Sequence, residues 1–596
     1  MEQASSKGAA AWIRVGTLTE LTERGVMVVR GADRPIAVFA HDKEKISAVD
    51  NRCPHMGFPL SKGTVRDGIL ICHWHEARFE MSSGCTFDLF ADDVPAYDVE
   101  VRENDEVWVA PYPRTSGAGA EAARGAQRLK EGLEQNIGLI QAKSILGLLR
   151  AGVDHAAIVR QVALFGAANR DSWASGLTSL TALANLVPYL TPETAYLALF
   201  QGSVRVGDDC AGRPPRRPKL PLETPADIPL ATLKGWLLNW TNVRHQDAAE
   251  RTLQTAIRAQ VTPEELCDLL YTAATERFYA DGGHLFDFTN KAAELLDLIG
   301  WEHAAEILPL VLGQLASARG GEEQSQWRYP IDLVPALEQA TSDLPDLLAA
   351  GAGKTWEGAI GALSAELLGD DPLAIIKTLC EALAAGARPV QLSQALAGAA
   401  AQRVARFAAS NEHRDWITVL HTFTYCNAVD QAMRRCPDSP GVLRGVFHGA
   451  VSVYLDRFLN VPPARLPGER ASDELESEPS DAETLLNQYR EALDGQREGM
   501  VAARAVARYL QLGHPVEALF DALTLTAVRE DADFHTIQMV EAGVRQYRAW
   551  IGQPEADAIL IAVARYVAAH SPTARARLQT ARIALRLHRG DAMHEE

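Results

Sequence analysis

Two cysteines and two histidines stand in two short runs, Cys53-x-His55 and, after sixteen further residues, Cys72-x-x-His75. Each run offers one soft sulfur and one imidazole nitrogen. Two thiolates and two imidazoles would hold a tetrahedral zinc ion. They also match the [2Fe–2S] clusters in which two histidines replace two cysteines on one iron. Zinc fingers keep their cysteines together and their histidines together, whereas here each run mixes the two types, and the β-rich surroundings favour the cluster. Such a cluster moves one electron at a time and does no substrate chemistry, so the electron needs an acceptor.

A second group of imidazoles lies far downstream. His284, His421 and His535 stand near the starts of apolar helices, and His448 sits inside another apolar helix. Lys291 follows His284 by seven residues on the same helix face, in the apolar stretch FTNKAAELLDLIG. A buried ammonium is costly unless paired, and a desolvated lysine gives up its proton readily. A neutral Lys291 would react with CO2 to form a carbamate, a carboxylate-like metal ligand. Imidazoles suit iron, and an open position on the metal would admit O2. Each of these histidines would serve equally as a hydrogen-bonded core residue. Glu276 and Asp281 read as solvated charges or as supports to the ligands. His155, His245, His303 and His514 read as helix-start and turn residues, and His570, His588 and His594 as part of a polar tail.

The elements that must position these residues are of two kinds. Over 12–112, IRVGTL, GVMVVRG, IAVFAHD, KISAVDN, GILICHW, ARFEMSSG and WVAP read as short strands between Gly, Asp and Asn breaks. Residues 113–127 read as a Gly/Ala/Ser linker. Residues 128–580 carry apolar residues at helical spacing and read as all-α. Within them a helix–turn–helix pattern recurs with its turn at Gly152, Gln260, Gly386 and Gly513, spaced 108, 126 and 127 residues apart. The following helix pairs His284 with Asn290, His421 with Asn427 and His535 with Glu541, each six apart; the first copy has Ser179 and Asn185. This gives about four degenerate helical repeats. A proline-rich connector at 208–229 and an acidic stretch at 462–483, expected to be disordered, interrupt them.

The Cys/His pattern and the second loop, CHWHEARFEMSSG, closely resemble the Rieske domain family in its oxygenase and ferredoxin types. The resemblance covers roughly 12–112. It implies a cluster held by Cys53, His55, Cys72 and His75, each histidine ligating through one ring nitrogen and leaving the other exposed. The family's respiratory branch adds a disulfide whose cysteines fall at Phe58 and Trp74, and a sulfide-bonding serine that falls at Ala77. Without them, negative charge on the cluster is less compensated, which implies a potential near the low end of the range, about −150 mV. Ordinary Rieske oxygenases bind their catalytic iron through an Asp-x-x-His-x4-His run, which this chain lacks.

A more local resemblance joins EALFDALTLTAVREDADFHTIQMVE to the end of questin oxidase-like proteins, helical enzymes that open anthraquinone-type rings. It implies iron held by His284, His421, His448 and His535 with a modified Lys291. That family's motif has a further histidine upstream of the one matched to His535; here Asp531 and Asp533 occupy the region.

Composition bounds the rest. A chain of 596 residues needs several domains. A net charge of −19 argues against nucleic acid and anionic membrane as partners. The start, MEQASSKGAAAW, lacks the apolar run of a signal peptide, and no stretch approaches the length of a membrane span. The six cysteines outside the motif show no framework spacing and read as reduced thiols, consistent with the cytoplasm. The reading is a small all-β Rieske domain followed by a large all-α domain. The cluster would feed a mononuclear non-haem iron that activates O2 for hydroxylation or oxidative ring cleavage of a hydrophobic aromatic substrate. With no Gly-x-Gly-x-x-Gly after a strand, a separate NAD(P)H-dependent reductase or ferredoxin would supply electrons. The linker would let one chain's cluster serve a neighbour's iron in a homo-oligomer. An electron-transfer protein whose repeats bind a partner enzyme, or a redox sensor, is the alternative.

Overall fold

The computed structural model describes residues 11–41, 45–114, 118–223, 228–408, 410–469, 474–495, 498–589 and 591. The start of the chain, residues 1–10, and His594 lie outside them. The chain divides into two compact units, 1–153 with 579–596, and 154–578.

Among the described residues, the first unit contains ten short antiparallel strands in three sheets. One sheet runs in the order β1 (Ile13–Thr17), β10 (Glu106–Val109), β9 (Val99–Val101). Another runs β2 (Val26–Arg30), β3 (Pro35–His41), β4 (Lys45–Asp50), β8 (Ala96–Tyr97). The last runs β5 (Thr64–Arg66), β6 (Ile69–Ile71), β7 (Arg78–Glu80). A short helix, α1 (Leu18–Arg24), follows β1 with a Thr17–Glu20 capping box. The seven expected strands are present. β3 carries an unbroken apolar run because both its faces are covered. Ala37 and Phe39 face a core shared with Cys53, Leu70, Cys72 and Phe79, while Ile36 and Val38 face a core shared with Val15, Leu21 and Val107.

This unit also holds α2 (Ala118–Glu134), α3 (Gly138–Arg150) and most of the helix Ala576–Arg589. The linker expected at 113–127 is helical from Ala118 onward; 115–117 lie outside the described residues. The physical reason is composition: AGAEAARGAQRLKEGLE is dominated by alanine and other strong helix formers. Arg128 of α2 donates to the Leu89 and Ala91 carbonyls, and Lys143 of α3 donates to the Pro54 carbonyl. The all-β region is thus tied to two helices that the expected boundaries placed in the linker and the helical domain.

The second unit is helical. Among the described residues, 23 α-helices follow the β region along the chain. Each of the four turn positions has left-handed backbone: Gly152 (φ 78°), Gln260 (φ 58°), Gly386 (φ 97°) and Gly513 (φ 70°). Each separates two helices in sequence, as Gln260 separates Gln246–Arg258 from Pro263–Ala274. The helices that come next, Ser175–Leu186, His284–Ile299, His413–Arg435 and Phe534–Ala549, pack each on its neighbour and close a four-helix ring. Contacts between the His284 and His535 helices advance in step. Asp287 meets Gln538 and Lys291 meets Glu541, so the two run parallel.

The described residues of the acidic stretch 462–483 are held in place, against expectation. Glu469 pairs with Arg406, Glu478 with Arg504, and Leu475 is buried. Arginines distant in sequence neutralise what composition alone reads as self-repelling; 470–473 lie outside the described residues.

Candidate metal centres

Cys53 and His55 lie in the loop after β4, and Cys72 and His75 in the loop between β6 and β7. The two loops are built alike. The Cys53 amide donates to the Phe58 carbonyl, and the Gly57 amide returns to the Cys53 carbonyl. The Cys72 amide donates to the Ala77 carbonyl, and the Glu76 amide returns to the Cys72 carbonyl. The fourth residue after each cysteine is left-handed, Gly57 at φ 83° and Glu76 at φ 60°. Each cysteine is therefore fixed at the root of a closed turn, with its histidine on the turn's rim.

The turns bring the four side chains together. Both sulfurs are buried, and the hydrogen bond between the two thiols raises Cys53 and draws Cys72 down toward the thiolate. The His55 and His75 rings meet edge to face at 4.7 Å between centroids. Burial first, then His75 and Lys143, hold His55 down at about 4, so the ring stays neutral near pH 7. Its Nδ1 is buried without a hydrogen-bond partner. A neutral imidazole with an orphaned nitrogen beside two facing sulfurs is the donor set of a histidine-ligated [2Fe–2S] cluster. His75 is exposed, and Trp74 and Phe90 pack around the imidazoles. Phe58 and Trp74 face each other with centroids 6.1 Å apart, where the respiratory branch would carry its bridge.

In the second unit, His284, His421 and His535 converge, with one ring nitrogen from each within 4.8 Å of the others. His284 opens its helix after the left-handed run Asp281, Gly282, Gly283, and its Nδ1 lies 3.3 Å from the Asp281 carbonyl. A Cβ at Gly283 would press on the Tyr279 ring and Tyr425, so only glycine fits that approach. Asp533 caps the Phe534–Ala549 helix and holds His535 Nδ1 at 3.0 Å, turning Nε2 inward. His421 Nε2 lies 2.9 Å from His535 Nε2, and His284 Nε2 is buried without a partner. Burial, reinforced by the other two histidines, pushes His421 down to about 2, and burial likewise lowers His284. Imidazoles aimed at one point can take a divalent cation through their unprotonated nitrogens. Phe288 and Phe534 wall the site, their rings 5.2 and 6.0 Å from that of His284.

The other two expected ligands lie elsewhere. Lys291 is buried and paired with Glu294 at 2.8 Å and Glu541 at 2.7 Å. Burial alone would lower it, but the two carboxylates reverse the effect and hold the ammonium above the ordinary lysine value. An ammonium has no lone pair with which to attack CO2, so this pairing disfavours a carbamate. Asn185 bridges the same two carboxylates, and Arg545 pairs with both. His448 is fully buried against Phe278, with both ring nitrogens unpartnered. Its helix, Pro440–Asp456, packs on the His421 helix from outside the four-helix ring, which keeps it from the cluster of three. Glu276 pairs with Arg444, and Asp281 supports His284 through its backbone rather than its carboxylate. His570, read as part of a polar tail, packs between His413 and Tyr566.

Asp533, Phe288 and Phe534 were not singled out as site residues by the sequence pattern. An aspartate at a helix start two residues before a candidate ligand is the signal that would have found the first of them.

Comparison with known proteins bears on the first centre. The family profile described as the Rieske [2Fe-2S] domain matches residues 11–97. The 4beta-methylsterol monooxygenase of Methylococcus capsulatus is 37% identical over 75 residues, 13% of this chain and 20% of that protein. The 3-chlorobenzoate-3,4-dioxygenase oxygenase subunit of Comamonas testosteroni is 31% identical over 110 residues, 18% of this chain and 24% of that one. The chain thus spans about a fifth to a quarter of these relatives' length. The ferredoxin of carbazole 1,9a-dioxygenase from Nocardioides aromaticivorans IC177 is 28% identical in a match covering 17% of this chain and 99% of that one, with a TM-score of 0.16. The paired loops, the facing thiols and imidazoles and the family match agree: residues 11–97 are a Rieske [2Fe-2S] domain.

Proposed function

We propose that the chain is a Rieske oxygenase whose catalytic metal sits not in the usual α+β domain but in a helical ring. In this reading Cys53, His55, Cys72 and His75 hold the [2Fe–2S] cluster, and His284, His421 and His535 hold a mononuclear non-haem iron. The observation that carries it is the convergence of three imidazoles in the chain that also carries the Rieske domain. The relatives named as a monooxygenase and a dioxygenase support it at the level of the cluster domain.

Each residue then has a role. Asp533 holds the His535 imidazole by Nδ1 and leaves Nε2 for the metal. The Asp281 carbonyl does the same for His284. Phe288 and Phe534 give the site apolar walls, which favour a hydrophobic aromatic substrate and limit water. Iron on three imidazoles supplies open positions for O2 and substrate. Electrons come from a separate reductase or ferredoxin. The reaction is hydroxylation or oxidative ring cleavage.

The test is reconstitution of the full chain with iron and sulfide under anaerobic conditions, followed by reduction in the presence of O2 and a panel of aromatic compounds. Oxygen uptake matched by an oxygenated product, and lost in His421→Ala, is the expected result. Uptake that survives His421→Ala and His535→Ala would sink the assignment.

A further inference from the structure

Lys143 stands outside the residues of the family match, yet it reaches the first cluster loop. Its ammonium donates to the Pro54 carbonyl at 2.7 Å, and Pro54 lies between Cys53 and His55. The side chain is only 10% exposed, and its counter-ion is Asp92 at 2.9 Å, itself 37% exposed. Lys143 and Cys53 line one cavity of about 210 Å³. Placing an ammonium there is costly unless it has partners. A carboxylate and a loop carbonyl supply them, and Arg128 stands 3.5 Å from the same carboxylate.

We propose that Lys143 is a positioning residue for the Rieske cluster that also sets its reduction potential. This rests on the assignment of Cys53, His55, Cys72 and His75 as ligands. With neutral imidazoles, the cluster carries no net charge when oxidised and one net negative charge when reduced. A cation close to the loop therefore favours the reduced form. Lys143 is better buried than Asp92, so its field is the less screened of the two and the pair acts with net positive sign. The same contact locks the backbone between two ligands, so α3 is a working part of the electron relay.

The experiment is a mediated redox titration of the full chain, reconstituted anaerobically with iron and sulfide and followed by EPR. Lys143→Met, Lys143→Arg and Asp92→Asn are compared with wild type at one pH. Iron content and nitrogen hyperfine coupling first establish that the cluster is present and histidine-ligated. Lys143→Met is expected to retain the signal with its midpoint shifted down. Lys143→Arg should return most of that shift, and Asp92→Asn should move the midpoint up. A purely structural contact would not give shifts of opposite sign. A loaded Lys143→Met protein with the wild-type midpoint overturns the proposal, as do shifts of the same sign in Lys143→Met and Asp92→Asn. If Lys143→Met fails to take up iron, Asp92→Asn decides: a raised midpoint supports the proposal and an unchanged one overturns it. Wild-type protein without the nitrogen-coupled signal would instead refute the ligand assignment beneath it.

Discussion

His421 Nε2 and His535 Nε2 stand 2.9 Å apart, although 114 residues separate them in the chain. Two nitrogens each ~2.1 Å from one ion and at a right angle would be about 3.0 Å apart. The pair is therefore already spaced as neighbouring ligands of one metal. Anaerobically purified, reconstituted protein should contain three irons per chain, two from the cluster and one from this site. His421→Ala should keep two and lose the third, as read by metal analysis alongside the cluster's absorbance. A wild-type content of two would remove the helical site.

Asp533 orients His535 through Nδ1. Asp533→Asn should fold normally and weaken iron binding at the helical site by about 10–100-fold, the usual effect of losing such a support. Competition with a metal-binding dye gives the affinity. Equal affinities would mean that the carboxylate is merely a helix cap.

Lys291 stays an ammonium between Glu294 and Glu541. Protein equilibrated with carbon-13 bicarbonate should show no carbamate resonance. Lys291→Met should leave iron content unchanged while costing about 3–5 kcal/mol of stability, since it strands two buried carboxylates with Arg545. A carbamate signal, or loss of iron in Lys291→Met without unfolding, would return Lys291 to the metal.

Asp287 is buried one helical turn beyond His284, and burial raises its carboxyl to about 7 against the partial opposition of Lys291 and Gln538. A carboxyl with a folded pKa above its unfolded value of about 3.9 binds its proton more tightly when folded. Its contribution is full at acid pH, below the unfolded value, and is lost as pH rises through about 7. Asp287→Asn should therefore gain stability relative to wild type as pH rises from 5 to 8, by about 3 kcal/mol. Chemical denaturation across that range reads the difference. A gap that stays constant with pH would place the titration elsewhere.

Much of this arrangement was legible from local pattern. The strands carrying Val28, Val38 and Val49 announce themselves by composition and breaks, whereas β5, β8 and β9 span only two or three residues and exist because longer neighbours offer them a ladder. His284 and His535 open their helices while His421 lies two turns into its own, and the helix ring brings the three together. Lys291 and His448 meet partners that local pattern does not announce. Seven residues along a helix preserve its face but not the identity of what that face meets. For Lys291 it is Glu541, 250 residues away; for His448 it is Phe278. Partners so distant leave no trace in local spacing.

The aromatic pair Phe58–Trp74 has a consequence for how the protein is made. Where a covalent bridge would demand an oxidising environment and correct thiol pairing, two rings demand only that they meet. Maturation of the electron relay can then proceed in strong reductant, the same condition that iron–sulfur assembly itself requires. The loops should consequently show the same cluster occupancy with or without dithiothreitol.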